Sequence, residues 1–468
     1  MMRFYMTYIP WKKSAALTLL GLAITLTSVR AEVGLYSGIA GQNGWLFYKT
    51  EYSDKSNIQA IDATLDLIAR FNKVALANGI TMLLVLPPLK MRIYSEFLPP
   101  TVKINQTMMD QADHALKILR ANQVNVVDLN TPFSNNLNRN GALPLFLKLD
   151  THWSPSGVLL SSEIIKSYME STPALKKALD ATPSTAYKLE VSKLKKTNNS
   201  HDLVMQLPAN VQKGFASPEE SLLFKVTRVQ SRGASEHNTG IPLVGSSYSK
   251  PWGGFPDALS YALQRDIENF AHDAPHGGSF VAMKTFLSGD AFQVQRPKLL
   301  IWEMPERTLQ SPFDGQSRYY QPNTEWLLQA SALIQTTCKP SSVNGKIELL
   351  GLAANSSYQK TGGIVATSTL NTDFIEIQFN KAIGRLDYIT ARISTPDSKS
   401  ITLEAIDSDA KMLQFKIDVA GDRAEHAFRL PLPINNKGYT KVRIFPGKTS
   451  GFSFQDLQVC KQPEDLLK

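Results

Sequence analysis

The chain has 468 residues, 43% hydrophobic and 19% charged, with a formal net charge of +9 and two cysteines. The positive charge is spread along the chain with no dense Lys/Arg stripe, which argues against a nucleic-acid partner and suits an acidic polymer, although solubility alone also accounts for it. No cluster of Cys or His lies near Cys338 or Cys460, so a structural zinc site is excluded, and no metal or cofactor is expected.

At the N-terminus Arg3, Lys12 and Lys13 precede an apolar run, Ser14 to Val29, that ends in Ser28-Val29-Arg30-Ala31. This is a signal-peptide pattern over residues 1–31. A membrane anchor is the alternative, but the run is shorter than the roughly 20 residues a spanning helix needs. Cleavage after Ala31 sends the protein to the periplasm and lowers its charge to about +5.

Residues 32–339 alternate helical and strand patterns. Ile58, Ile61, Leu65, Ile68 and Phe71 make a helical stripe, and Ile80 to Leu86 is a short buried strand ended by Pro87-Pro88. Met108 to Leu119 reads as a helix, Val124 to Leu129 as a strand, and Ser154-Pro155 as an N-cap followed by proline at the first helical position. Leu243-Val244 and Leu299 to Trp302 add two buried strands. This rhythm predicts an α/β domain with a mostly parallel sheet, whose sites gather at the carboxyl ends of the strands. The stretch from about 172 to 238, rich in Lys, Ser and Asn, is read as an insertion.

From Lys346 onward the helical period disappears. Ile347–Leu352, Phe374–Phe379, Tyr388–Ile393, Ile401–Ile406, Leu413–Val419, Ala427–Leu432 and Val442–Phe445 recur between Gly, Asn, Asp and Pro, which predicts an antiparallel β-sandwich over residues 340–468. Cys338 and Cys460 stand at its two ends. In an exported chain they are expected to form a disulfide, closing a loop of more than a hundred residues.

Two stretches carry chemistry. In Leu149-Asp150-Thr151-His152-Trp153-Ser154-Pro155-Ser156-Gly157, an Asp and a His two apart on an extended segment point to the same side, so the carboxylate reaches Nδ1 and leaves Nε2 free. A metal pair or a surface hydrogen bond fits the triplet equally well. In Pro242-Leu243-Val244-Gly245-Ser246-Ser247-Tyr248-Ser249 an apolar strand runs into Gly-Ser-Ser and an expected helix, a turn that exposes serine at a strand tip; an ordinary loop is the alternative.

Together the two stretches resemble the AlgX and AlgJ group of alginate O-acetyltransferases. Their SGNH-hydrolase-like domain has the Asp-x-His pair before the serine in the chain, the reverse of ordinary SGNH enzymes. Gly44-Trp45-Leu46-Phe47, Pro88-Leu89-Lys90-Met91-Arg92-Ile93-Tyr94 and Trp302-Glu303-Met304-Pro305-Glu306-Arg307 extend the resemblance over most of residues 40–310. Region 340–460 is similar in length and texture to the carbohydrate-binding sandwich, with its disulfide, of the AlgX type, which is therefore preferred. One departure is that no cysteine precedes Cys338, where AlgX-like proteins can have a second disulfide.

The resemblance implies that Ser247 is a nucleophile, His152 its general base and then acid, and Asp150 the group that fixes the imidazole, with an acetyl-serine intermediate and the Ser247 amide as oxyanion donor. It also implies an exported exopolysaccharide acceptor, alginate (polymannuronate) first, and as partners a membrane-bound acetyl-donor protein and other export proteins.

Other residues are weighed beside this core. Arg307, past a strand end, suits a uronate carboxylate or an ion pair with Glu303 or Glu306. Tyr248 and Trp252 suit the floor of a sugar subsite or core packing. In the sandwich Arg385, Tyr388, Arg392, Lys441 and Arg443 mix cations with an aromatic, as an acidic glycan requires and as exposed strands carry anyway. His114 reads as structural, and His272 and His276 make only a loose metal pair, because Pro275 interrupts a helical face. An acetylesterase with the same triad remains open. So does a non-catalytic polymer-binding component of an export complex, which would be favoured if the triad side chains lay too far apart to hydrogen-bond.

Overall fold

Three of the apolar runs, Thr81–Val85, Ile241–Val244 and Leu299–Glu303, form the centre of a five-stranded sheet. The spatial order is Ile267–Asn269, Ile241–Val244, Leu299–Glu303, Thr81–Val85, Asn125–Val127, and every pairing is parallel. Successive side chains of a strand face opposite ways. Leu83, Val85, Leu243 and Ile301 accordingly join one apolar cluster, and Met82, Leu84, Val244, Leu300 and Trp302 join another. Burial on both faces is why these strands read as continuous apolar runs rather than alternating ones.

Helices Ile58–Ala77, Gly278–Ser288 and Asn323–Ile334 cover one face; Pro155–Ser171 and Phe255–Leu263 cover the other. The Ser154 hydroxyl accepts from Gly157 N at 3.2 Å, with Pro155 in the first helical turn. The structure is a computed structural model describing residues 37–467 apart from 193–194, 198–200, 216–218, 230–239, 314–320, 351–356, 360–362, 369–370, 420, 422–423 and 434. The expected signal peptide lies outside the described residues. Among the described residues no helix is long and apolar enough to cross a membrane.

The weakly periodic stretch after residue 172 contains two small antiparallel pairs, Tyr187–Val191 with Phe224–Arg228 and Lys195–Thr197 with Glu219–Ser221. Between them lie the short helices Asp202–Met205 and Ala209–Gln212.

The C-terminal region is a sandwich of two five-stranded antiparallel sheets around one apolar core. All seven expected strands occur. Three more do not stand out in the sequence: Ser357–Gln359, Gly363–Ser368 and Thr449–Lys461. The last turns Phe452 and Phe454 inward, then slips register against its neighbour between Thr390 and Arg392, with Asp456 at φ 54°. A bulge of that kind breaks the period of two that a strand reading depends on.

The sandwich is tied into the α/β core. Leu386 and Leu466 belong to the apolar cluster under the sheet, Gln462 Nε2 donates to Leu328 O at 3.0 Å, and Arg70 donates to Leu466 O at 2.7 Å. Cys338 and Cys460 are joined, and Tyr388 and Ala332 pack beside them. The bridge spans a sequence separation of 122. A Cys338→Ser/Cys460→Ser chain is therefore expected to lose about 2–5 kcal/mol of unfolding free energy relative to the oxidised protein. Denaturant midpoints of the two chains measure this, and coincident midpoints would contradict it.

Candidate active site

Where the Ile241–Val244 strand ends, the chain turns sharply past the end of its parallel neighbour Leu299–Glu303. Gly245 is required there: a Cβ would lie 2.5 Å from Ser249 Oγ and 2.6 Å from Glu303 Oε2. The Glu303 carboxylate, fully buried, accepts from Ser246 N at 2.7 Å, Ser246 Oγ at 2.9 Å and Ser249 Oγ at 2.9 Å. Burial pushes its carboxyl up to about 7, against the opposing pull of these donors and of Arg307.

No full helix follows Ser247 directly, contrary to the sequence expectation. Ser247–Ser249 is a single 3₁₀ turn in which Ser246 Oγ accepts from Tyr248 N. Pro251 then opens a second 3₁₀ turn, Gly254 takes a left-handed φ of 78°, and the α-helix begins only at Phe255.

The Asp-x-His segment also differs from the extended form. Phe146 bridges Trp153, and Leu147 N donates to His152 O at 3.1 Å, so Asp150 and Thr151 occupy the tip of a tight turn. Asp150 Oδ1 accepts from both His152 N at 3.0 Å and His152 Nδ1 at 2.5 Å. His152 Nε2 meets Ser247 Oγ at 2.8 Å. Both Asp150 and His152 are buried, whereas Ser247 is partly open.

Three residues that local sequence does not point to hold this turn. Lys90, fully buried, donates to Asp150 O at 2.9 Å and Lys148 O at 3.0 Å and lies over the rings of Trp45 and Phe47. Burial pulls its ammonium down to about 8, although Glu219, Glu51, Asp150 and Asp202 oppose this. Glu219 accepts from Lys148 N at 2.5 Å. Asp202, from the inserted stretch, accepts from Thr151 N at 2.7 Å and Thr151 Oγ1 at 2.5 Å, while its own N–H donates to Asp150 Oδ2 at 3.3 Å. Burial, then Asp150, raises the Asp202 carboxyl above its ordinary range.

Asp150, His152 and Asp202 are the one group among the described residues whose ligand atoms lie close enough together, within 4.8 Å, to consider a cation. Asp150 Oδ1 and His152 Nδ1 are bound to each other, which removes two of the three donors from that role. His272 and His276 join no such group; His276 pairs with Asp273, and the exposed His114 with Asp62 at 2.6 Å.

Ser247 opens into a cleft of about 400 Å³ lined by Tyr48, Tyr52, Asn57, Arg307 and Gln310. Trp252 stands at the site with its ring edge-on to His152 at 4.8 Å, and is 59% exposed. Tyr248 does not floor a subsite: it is fully buried, its ring lies 4.8 Å from that of His152, and its hydroxyl donates to Thr151 O. Arg307 donates to Tyr248 Oη at 3.1 Å and stacks over Tyr48 and Tyr248. Among the described residues its ion pair is with Glu51, at 4.0 Å, rather than with Glu306, which forms a buried pair with Arg92, or Glu303, which is taken by the serine turn.

The expected glycan-contacting residues of the sandwich do not form one surface. Tyr388 is buried beside the disulfide, Lys441 and Arg443 hold Glu376, and Arg392 lies 3.6 Å from Glu425 and 3.9 Å from Asp456. Arg385 is exposed before the Asp387–Ser394 strand.

Comparison with known proteins matches residues 39–306 to the family described as SGNH hydrolase-like domain, acetyltransferase AlgX. The probable alginate O-acetylase AlgJ of Pseudomonas fluorescens is 30% identical over 284 residues, 58% of this chain and 68% of that protein. The alginate biosynthesis protein AlgX of Pseudomonas putida is 23% identical over 275 residues, 57% of this chain and 55% of its own. Among solved structures, the O-acetyltransferase domain of Pseudomonas putida AlgJ aligns with TM-score 0.52 and 25% identity, over 63% of this chain and 99% of that one. Pseudomonas aeruginosa AlgX aligns with TM-score 0.56 over 92% of this chain and 96% of its own; at 16% identity this is a likeness of fold, and it includes the sandwich. The catalytic part is thus nearer in sequence to the AlgJ relative, while the two-part architecture is that of the AlgX structure.

Replacing Asp202 by Ala removes the acceptor of Thr151 N and Oγ1 beside His152. The expected result is a stability loss of about 1–3 kcal/mol from the unpaired donors and roughly a tenfold fall in kcat on a small acetate ester with KM little changed. Denaturant unfolding and steady-state kinetics check the two parts separately.

Proposed function

Because the chain belongs to the SGNH hydrolase-like AlgX acetyltransferase family, we propose that it is an O-acetyltransferase acting through Ser247, His152 and Asp150 on an exported acidic exopolysaccharide, with alginate (polymannuronate) the first candidate. The observation that carries this reading is the continuous relay from Ser247 Oγ to His152 Nε2 at 2.8 Å and from His152 Nδ1 to Asp150 Oδ1 at 2.5 Å.

The chemistry follows from that geometry. Asp150 accepts a hydrogen bond from His152 Nδ1–H and so holds the tautomer in which the Nε2 lone pair faces the Ser247 hydroxyl. Ser247 Oγ attacks the acetyl carbonyl of the donor while His152 takes the hydroxyl proton. Collapse then expels the donor's leaving group, to which His152 returns the proton, leaving acetyl-Ser247. A sugar hydroxyl next gives its proton to His152 and attacks the acetyl carbon; Ser247 leaves, and His152 reprotonates it. No acceptor among the described residues takes the Ser247 N–H, which suits it to the developing oxyanion.

Arg307 borders the cleft and suits a uronate carboxylate, while the exposed face of Trp252 suits a sugar ring. In this reading Tyr248 is a support for His152 and not a ligand. The periplasm, a membrane-bound acetyl-donor partner and polymer binding by the sandwich complete the proposal, and all three rest on the family.

Ser247→Ala is expected to lower turnover of p-nitrophenyl acetate by at least about 10³-fold with an unchanged melting temperature. In the wild-type protein, rapid quenching should recover acetyl on the peptide carrying Ser247, and added oligomannuronate should emerge acetylated. Equal turnover in the two chains would refute the nucleophile. Acetate release without sugar acetylation would make the enzyme an esterase.

A further inference from the structure

The relay accounts for Ser247, but not for a second fully buried carboxylate placed directly behind the nucleophile turn. Resting on the reading above, we propose that Glu303 is a positioning residue whose ionised carboxylate clamps the turn 245–249 and so sets the aim of Ser247 Oγ and of its backbone N–H.

The hydrogen-bond directions are determined by the donors. Ser246 N–H can only donate, and it reaches Oε2 at 2.7 Å. Ser246 Oγ already accepts from Tyr248 N at 3.2 Å, so its proton is directed to Glu303 at 2.9 Å. Ser249 Oγ lies 2.9 Å from Oε2. A carboxylate receives all three. A protonated carboxyl must donate once, and only the Ser246 and Ser249 hydroxyls can accept from it, so protonation turns one serine donor away from Glu303 and loosens the turn that carries Ser247.

The clamp is tight as well as polar. Gly245 lets the carboxylate approach its backbone, and Glu303 is carried rigidly by a strand paired on both sides. Ser246 lies between this clamp and Ser247, so the clamp orients the peptide whose N–H belongs to Ser247. A group that fixes a nucleophile in this way acts on kcat, because small misplacements of reacting atoms are costly.

Other titratable or charged groups surround the turn. Arg307 lies on the segment following the strand and favours ionised Glu303, with Glu51 beside it at 4.0 Å. His152 faces Ser247, and His272 donates its backbone N–H to Gly245 O, its own imidazole pulled below the ordinary range chiefly by burial. Burial of Glu303 moves its titration up to about 7, into the range where the enzyme would operate.

The test uses the full chain and p-nitrophenyl acetate across pH. In wild type, log(kcat/KM) should fall on the acid side with a limiting slope one unit steeper than in Glu303→Gln, the difference being the proton on Glu303. Glu303→Gln should lower kcat by about 10- to 100-fold with KM within about twofold. Ser249→Ala removes one donor to the carboxylate and should move the Glu303 step to higher pH; it decides the matter if Glu303→Gln does not fold. An acid limb as steep in Glu303→Gln as in wild type, wild-type kcat in that chain, or an unmoved Glu303 step in Ser249→Ala overturns the inference. If Ser247→Ala is inactive while Glu303→Gln behaves as wild type, only this inference fails. Turnover surviving in Ser247→Ala removes the nucleophile assignment and this inference with it.

Discussion

A carboxylate without water must be met by donors, and two carboxylates buried in this way organise the end of the sheet that carries Ser247 and His152. Asp150 is met by His152 twice and by the Asp202 N–H, and Glu303 by three donors of the serine turn. Each acid restrains the loop it serves, so the two loops meet with Ser247 and His152 in hydrogen-bonding contact. A third pair, Arg92 with Glu306, fastens the segment between the last strand and Arg307, and Arg92 also reaches Asn130 Oδ1 at 2.9 Å and Met108 O at 2.9 Å. Truncating one member of such a pair leaves a buried charge alone, which costs more than the intact pair contributes.

The inserted stretch is part of the site rather than an ornament on it. Asp202 and Glu219 come from its short elements and grip the backbone at Thr151, Leu149 and Lys148. Lys90 approaches the same loop from the opposite direction and donates to Asp150 O and Lys148 O. The Asp-x-His turn is therefore held by contacts from three separate parts of the chain, which fixes the orientation of the His152 imidazole.

The seam between the α/β part and the sandwich is also structural. The helix Asn323–Ile334 packs against the strand His426–Pro431, which lies at the edge of its sheet, and so covers an otherwise unpaired edge. Arg296 donates to Ile334 O at 2.7 Å at the carboxyl end of that helix, where the helix dipole favours a cation. Arg429 comes from the sandwich strand and shares Gln293 Oε1 with Arg296; burial, then Arg429, pulls the Arg296 guanidinium down to about 9. With Leu386 and Leu466 in the α/β core, the sandwich cannot be removed without uncovering apolar surface. Polymer binding by it is best probed by surface substitutions in the intact chain.

Periodicity in the sequence was sufficient for the buried parallel strands, for helices such as Gln106–Ala121, and for seven sandwich strands, because burial on one face or two imprints a repeat that needs no partner to be read. It failed where that repeat breaks, at the bulge in Thr449–Lys461 and at the Pro251 and Gly254 interruptions after Ser247. The meeting of Asp150, His152 and Ser247 in one hydrogen-bonded line could be anticipated because their motifs are local and their order along the chain is distinctive. Lys90 and Glu303 stood inside recognisable motifs, yet nothing local said that one would hold the Asp150 carbonyl and the other the serine turn. Asp202 had no local signal at all, and Tyr248, Tyr388 and Arg392 looked like ligands until packing buried the first two and acids flanked the third. Sequence by itself determined which segments must be buried and where the Asp-x-His and Gly-Ser-Ser motifs lie. Apart from the local pairing of Asp150 with His152, only tertiary structure decided which donor meets which buried acid, since those pairings join residues 50 to more than 200 positions apart and no repeat along the chain encodes them.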